Sequence, residues 1–440
     1  MSEPKVAAAV PTGFTQYIRS MGPGLVVALT WLGAGDLVDS AVAGGHYGYA
    51  LMWAIAIALF VRFVFVSIIA KYHLCNQHDE SLMAGLKRLH SQLPMVIGAI
   101  ALFFGHFYNS YMIKGVGETT TKLIGVLPPW QWSVLWVLLA ALLLWRGTYR
   151  HIEIVFCVFL IMLSVSLIGV AFWSGPNPLA ALQGVFLFSV PEQKGPFAAL
   201  LVVTSLIGAV GGSIANLLYP YFMQQKGWTG SRFRRLQQYD LAFGTSVIIA
   251  LNLAVWTIGA EVLHPGGITI TNLDDLANLL TVVLGKLGGP IFYLGVFAAL
   301  YSSVIGIAAG YGLLCADVVN VHRSGKAIHV AGLGVTRSKT YRAVAAWCLF
   351  SPLVWSLPGM PGFITLTVLA NAASVIVLPL LCGSLWYITA RTAFIGRVYR
   401  NRWWENGLMG ALFLLSLWGA YQSIMAIAAA LGAAWRVGIN

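Results

Sequence analysis

Charge is what this sequence has least of. Only 9% of its 440 residues are Asp, Glu, Lys or Arg, and 59% are hydrophobic. Soluble domains carry about 25% charged residues, so an ordinary soluble domain is excluded and an integral membrane protein is indicated. Cysteine is scarce too. Cys75, Cys157, Cys315, Cys348 and Cys382 are scattered, four of them in apolar runs. They form neither a metal-type spacing nor a secreted disulfide framework. Residues 1–20 are too polar for a signal-peptide core, so the first apolar run is expected to stay as a helix. No phosphate-binding Gly/Lys loop and no catalytic triad arrangement is present, so neither an enzyme nor a cofactor is expected.

What the chain does have is long apolar runs. Eleven are long enough to span a bilayer, near 24–45, 47–70, 93–121, 129–145, 151–174, 196–224, 238–262, 287–316, 343–357, 361–390 and 406–434. With the N-terminus placed in the cytoplasm, 20 of the 26 basic residues fall on the inside, among them Lys226, Arg232, Arg234 and Arg235. Outer segments hold only Lys122, Lys194, Lys286 and Arg436, and Arg62 and Lys114 lie within spans. This asymmetry follows the positive-inside rule and places the C-terminus outside a multi-pass cell-membrane protein. The net charge of +12 therefore reflects topology and anionic lipid, with the bilayer as partner and no nucleic acid. A monomer is expected.

Gly33-Ala34-Gly35-Asp36-Leu37-Val38-Asp39 puts two glycines and two carboxylates inside the first span. A carboxylate at membrane depth costs about 2.5–3.5 kcal/mol on insertion scales and usually faces a cavity or a partner. Glycines let the helix unwind there, which a bilayer tolerates only where backbone lines protein or water. A Gly-rich packing surface with structurally paired acids is the plainer reading. The second half echoes the first, however. The sixth span is interrupted at Gly208-Ala209-Val210-Gly211-Gly212-Ser213, followed by Ile214, Ala215 and Asn216. Interruptions at corresponding places in two halves point to a transporter binding site, and an odd number of spans per half inverts the second. The expected fold is all-α, a five-plus-five inverted repeat with an eleventh helix. One domain covers 1–440, with repeats at 24–174 and 196–390 and the extra helix at 406–434. Three loops are long. Residues 72–92 are expected to carry a surface helix at Ser81–Leu86, 175–195 to bridge the halves outside, and 263–285 to hold a capped helix start at Thr271-Asn272-Leu273-Asp274.

Gly22-Pro23-Gly24, Ala43-Gly44, Tyr47-Gly48-Tyr49 and Trp53 resemble the Nramp family, as do Ala299-Leu300-Tyr301-Ser302-Ser303 with Gly306 and Gly310, and Leu378-Pro379. The resemblance implies a LeuT-type fold and proton-coupled transport of divalent metals. The substrate motifs depart from the family pattern. Where the family has Asp-Pro-Gly-Asn, this chain has Gly33-Ala34-Gly35-Asp36, and where it has Met-Pro-His this chain has Ser213-Ile214-Ala215. The third span, Asn109 to Gly117, contains Lys114 and no acid. Asn371 corresponds to the family's site-facing Gln.

The residues that remain offer oxygen. Asp36, Ser213 and Asn371 are the candidate metal ligands. Gly33, Gly35, Asp39, Gly212 and Asn216 complete the candidate substrate site, with carbonyls freed near Gly33 and Gly212. Asp39 follows Asp36 by about one helical turn, so both acids can face one cavity. Such a set suits hard cations, Mg²⁺ or Mn²⁺ ahead of Fe²⁺. The alternative is a small organic solute, its carboxylate met by amides after Gly211-Gly212 and its cationic group by Asp36. Coupling candidates are Asp39, His46, His106 and the pair Ser302 and Ser303, which sodium-coupled members of the fold use for Na⁺. For the two histidines, a packed or interfacial role is the plainer reading. On topology, a cysteine introduced in 228–233 is expected to label only from the cytoplasmic side, and one in 268–273 only from outside. The reverse labelling pattern would overturn the orientation.

Overall fold

The protein is described here by a computed structural model, covering residues 34–146, 149–192, 197–211, 213–325, 327–328, 336 and 338–438. Among these residues every regular element is helical. The helices are α1 (Ala34–Tyr47), α2 (Met52–Cys75), α3 (Leu82–Leu89), α4 (Leu93–Ile124), α5 (Pro129–Arg146), α6 (Tyr149–Trp173), α7 (Pro178–Phe186), α8 (Ala199–Leu206) and α9 (Tyr219–Gln225). They continue as α10 (Arg234–Ile258), α11 (Leu273–Leu284), α12 (Gly288–Ser324), α13 (Lys339–Phe350), α14 (Phe363–Ser374), α15 (Leu378–Ala390), α16 (Thr392–Ile395) and α17 (Trp403–Gly438).

Seven helical stretches of the described residues are long and apolar enough to cross a membrane, or eight if the bent pair Val158–Trp173 and Pro178–Phe186 is one span. Eleven spans were expected, and the others correspond to α1, α5, α6 with α7, and α13 with the turn that follows it. Only the part of the first span from Ala34 onward is described, α5 has 18 residues, and α13 gives way to a 3-10 turn at Ser351–Ser356. Pro352 accounts for that last change, because it has no N–H to donate and its ring crowds the preceding turn. α2, apolar on every side, is about 36 Å long and exceeds a hydrocarbon core of about 30 Å.

Local sequence explains the loop helices. Asn272 caps α11, and Asp275 closes the reciprocal capping box with the Asn272 backbone. Asp275 is thereby committed to the cap, while Asp274 pairs with Lys122. Ser81 caps α3 through the Ala84 amide. α3 was expected on the surface, yet Leu82 to Leu86 are buried. Gly85 lies so close to the Tyr72 hydroxyl that a Cβ would overlap it, and Lys87 donates to the Val321 carbonyl at 2.8 Å. The loop 175–195 likewise holds a helix, α7, capped by Asn177 and started by Pro178.

The core is built on close approach. α12 runs along α4, and α14 packs on both α8 and α4. At Gly208, a Cβ would overlap the backbone carbonyl oxygen of Asn371. Only glycine permits that contact, which brings the sixth and tenth spans together at the level of the two acids. Gly208→Ala should therefore lower the thermal unfolding midpoint of the purified protein, by an overpacking cost of about 1–3 kcal/mol. An unchanged midpoint would show that this contact is not tight.

Candidate functional site

Six spans converge on a small cavity of about 40 Å³. α1 supplies Gly35 and Asp36, α2 supplies Arg62, and α4 supplies Tyr108, Tyr111 and Met112. The sixth span adds Ala209, Ser213, Ala215 and Asn216, α12 adds Ile307 and α14 adds Asn371. The space admits a few waters or a partly hydrated ion, well below the roughly 300–1,000 Å³ of pockets for drug-sized ligands.

The two acids of α1 have different surroundings. Asp39 is fully buried. It accepts from the Ser205 hydroxyl at 2.7 Å and from the Asn371 side-chain amide at 2.9 Å. One carboxylate thus ties α1 to α8 and α14. Asp36, one turn earlier, lies on the cavity wall and accepts from Arg62 Nη1 at 3.3 Å. Both members of that ion pair are only 3% exposed. Gly35 lies beside them, where a Cβ would come within 3.0 Å of the Tyr111 hydroxyl and 3.1 Å of the Asn371 amide nitrogen. Glycine here lets two polar side chains close over the helix.

The sixth span changes its hydrogen bonding beside the cavity. α8 passes into a π-turn at Ile207–Gly211, Ser213 has extended backbone, and a 3-10 turn starts at Ile214. The chain supplies local partners for the groups this frees. The Asn216 side chain donates to the Gly211 carbonyl at 3.1 Å, and the Ser213 hydroxyl accepts from the Ala215 amide and donates to the Tyr108 hydroxyl, both at 3.1 Å. The corresponding interruption in the first span was expected at Gly33–Asp36. From Ala34 the described chain is regular α-helix, so Gly35 and Asp36 are helical. Gly33 and Gly212 lie outside the described residues.

Of the candidate site residues, Gly35, Asp36, Ser213, Asn216 and Asn371 line the cavity, with Asp39 one hydrogen bond behind Asn371. The other coupling candidates lie elsewhere. His46 accepts from the Ile270 amide at 2.9 Å, and His106 bonds Ser351 and Trp355, each at 2.8 Å. Ser302 donates to the Ala299 carbonyl within α12, and Ser303 is buried in the same helix. Lys114 donates to the carbonyls of Trp355 and Met360. Asp240 and Asp317 are bound by the hydroxyls of Tyr219 and Tyr221, respectively.

Sequence reasoning gave no role to Arg62, Tyr108, Tyr111, Met112 or Ser205. Arg62 carried a signal: an arginine inside an otherwise apolar span is by default a functional residue with a partner to be found. The aromatic and small polar residues carried none, because such residues occur throughout the chain. Among the described residues no three His, Cys, Asp or Glu side chains converge as a metal cluster.

The sequence pattern described as "Natural resistance-associated macrophage protein-like" matches residues 24–426. The chain belongs to the Nramp family. The divalent metal cation transporter MntH of Bacillus subtilis (strain 168) is 21% identical over 68% of this chain and 71% of its own length. MntH of Erwinia tasmaniensis is 25% identical over 66% and 70%. Among solved structures, the Eremococcus coleocola manganese transporter in complex with an aromatic bis-isothiourea substituted compound superposes with a TM-score of 0.72 at 16% identity, covering 96% of this chain and 89% of that one. MhsT in complex with L-phenylalanine gives 0.52 at 14% identity, covering 92% and 98%. The fold is of the LeuT type, and this Nramp chain is a multi-pass membrane protein of a transporter family.

Within this Nramp fold, Asp39 is the polar tie between spans. Asp39→Ala strands two buried donors, a penalty of about 1–3 kcal/mol for each group left unsatisfied. The unfolding midpoint should fall, and by more than in Ser205→Ala, which leaves the Asn371 bond in place. Equal midpoints in the two variants would remove Asp39 from that role.

Proposed function

We propose that this protein is a secondary active transporter of a small hard divalent cation, Mg²⁺ or Mn²⁺ ahead of Fe²⁺, working by alternating access around the first and sixth spans. The observation that carries this reading is the small cavity at Asp36, whose wall brings Ser213, Tyr108, Tyr111, Asn216 and Asn371 to the same space as this carboxylate. Mg²⁺ keeps several of its waters and is often held by one or two carboxylates, so a site of this kind needs few protein charges. The family relationship supports the same reading, since the curated relatives named above are divalent metal cation transporters. The repeats 24–174 and 196–390 would both contribute to the site, with the N-terminus in the cytoplasm.

Arg62 shapes how such a site works. Its guanidinium pairs with the same carboxylate that a cation would use. Arg62 neutralises the Asp36 carboxylate, and an incoming cation must take Asp36 from Arg62. The site therefore binds weakly. Sulfur enters the wall only at Met112 on α4, while the sixth span offers Ser213 and no thioether.

A second reading has an observation of its own. The Asp36–Arg62 pair presents both signs of charge side by side, which would fit a very small zwitterionic solute whose carboxylate meets Arg62 and whose cationic group meets Asp36. The roughly 40 Å³ available here makes this the less favoured reading.

Calorimetry on the purified protein separates the two. The wild type should bind Mg²⁺ and Mn²⁺ with similar, modest affinity, and Cd²⁺ more weakly. Arg62→Gln should tighten divalent binding by about tenfold or more, equivalent to about 1.4 kcal/mol. The double variant Asp36→Asn/Arg62→Gln, which removes both buried charges together, should stay folded and bind no divalent ion. Ser213→Met should raise Cd²⁺ binding at the expense of Mg²⁺, because the soft ion gains most from sulfur. No heat with any of the three ions up to millimolar levels, alongside binding of a small zwitterion, would replace the first reading with the second.

A further inference from the structure

A large cleft lies away from the cavity, where the end of α2 meets the starts of α10 and α17. It measures about 670 Å³. Lys71, Arg234, Arg400 and Arg402 line it, against one acid, Glu405. Glu405 is engaged by Lys71 at 2.8 Å, and Arg234 donates to the Ser67 carbonyl and hydroxyl. The side chains of Arg400 and Arg402 are exposed and have no acid partner among the described residues, although the Arg402 backbone amide donates to Glu405 at 2.7 Å. The cleft therefore holds an excess of positive charge, at helix ends assigned to the cytoplasmic face by the distribution of basic residues.

Its other walls are apolar, with Phe63, Val64 and Ile68 of α2 facing Leu408 and Met409 of α17. Phe63 also opens a second cleft of about 510 Å³, formed largely by Ile55, Leu59 and Phe60 of α2 with Ile249 and Leu253 of α10. The two spaces follow one another along the same stripe of α2, with Phe63 in the wall of both. From Lys71 back to Met52 the helix rises about 28 Å, close to the thickness of a hydrocarbon core. One end of the groove is basic and the rest is greasy. A soluble anion would use only the basic end.

We propose that this groove is a binding site for one anionic phospholipid, with the phosphate of its head group against Arg400 and Arg402 and an acyl chain along Phe63, Phe60 and Leu253. Basic pockets between spans on the cytoplasmic side suit head groups of this charge. Burial of chain methylenes adds affinity that no free phosphate has, although the surrounding lipid competes for that part and leaves the head group to decide selectivity. The location also matters for the cavity. Phe63 follows Arg62 directly, so the helix turn against which the lipid lies is the one that presents the guanidinium to Asp36.

The test uses the full-length protein in detergent. Its thermal unfolding midpoint is measured with added phosphatidylglycerol, with phosphatidylcholine of the same chains, and with inorganic phosphate. Phosphatidylglycerol should raise the midpoint several degrees above phosphatidylcholine, and phosphate should have no effect. Arg400→Gln/Arg402→Gln should abolish the difference between the two lipids while leaving the midpoint in phosphatidylcholine unchanged. Arg397→Gln, an exposed basic residue outside the groove, should keep the difference. Equal stabilisation by both lipids would identify an ordinary annular contact, and an equal effect of phosphate would identify a free-anion site. Either result overturns the proposal, as does a double variant that retains the lipid preference.

Discussion

The carboxylate of Asp39 is the constraint on which the centre of this structure depends. It is fully buried, so the fold must bring donors to it, and Ser205 and Asn371 come from two other spans. In an apolar surround an unsatisfied polar group is expensive, and a satisfied one fixes register. The close approach at Gly208 follows from the same demand, because Asn371 reaches Asp39 only if α14 lies hard against the sixth span. With three spans locked at that level, the turn before Asp39 is held as well, and Asp36 is directed into the cavity.

Asp36 shows the opposite treatment of the same side chain. It has a charged partner in place of neutral donors, and that partner stands on a different helix. A hydrogen-bonded acid such as Asp39 is part of the frame, whereas an ion pair on a cavity wall can be opened by a competing ion. The two carboxylates, one helical turn apart, thereby differ in place: Asp39 holds the spans together and Asp36 lines the cavity. The irregular sixth span is supported in the same economical way. Asn216 bonds back to the Gly211 carbonyl, and beyond it Tyr219 and Tyr221 fasten the following helix to Asp240 and Asp317. Irregular backbone is thus held by hydrogen bonds on its far side and by the close contact at Gly208 within its π-turn. α2 connects this interior to the outer surface, since consecutive residues Arg62 and Phe63 reach the cavity and the lipid-facing groove.

Much of this was legible beforehand. Composition excluded a soluble domain, apolar runs located the helices, and the glycines with Asp36 and Ser213 marked the stretch that lines the cavity. The capped start of α11 was readable from Thr271-Asn272-Leu273-Asp274, because capping is decided by residues three apart in sequence. α3 was misjudged as a surface helix. Its polar neighbours suggested exposure, but burial depends on what packs over it, here Tyr72 and α12.

By itself, the sequence determined what local chemistry determines: spans, caps, the basic asymmetry between loops, and which residues are unusual at membrane depth. Only the tertiary structure decided which of these meet. Asp36 and Asp39 look alike in sequence, yet one faces Arg62 and a cavity while the other is enclosed by Ser205 and Asn371. Lys114 stands one helical turn from Glu118, and only the fold adds the carbonyls of Trp355 and Met360 as its acceptors. A side chain in an apolar medium takes the nearest available partner in space, and with partners 26 to 332 residues away along the chain, that distance is a property of how the helices pack.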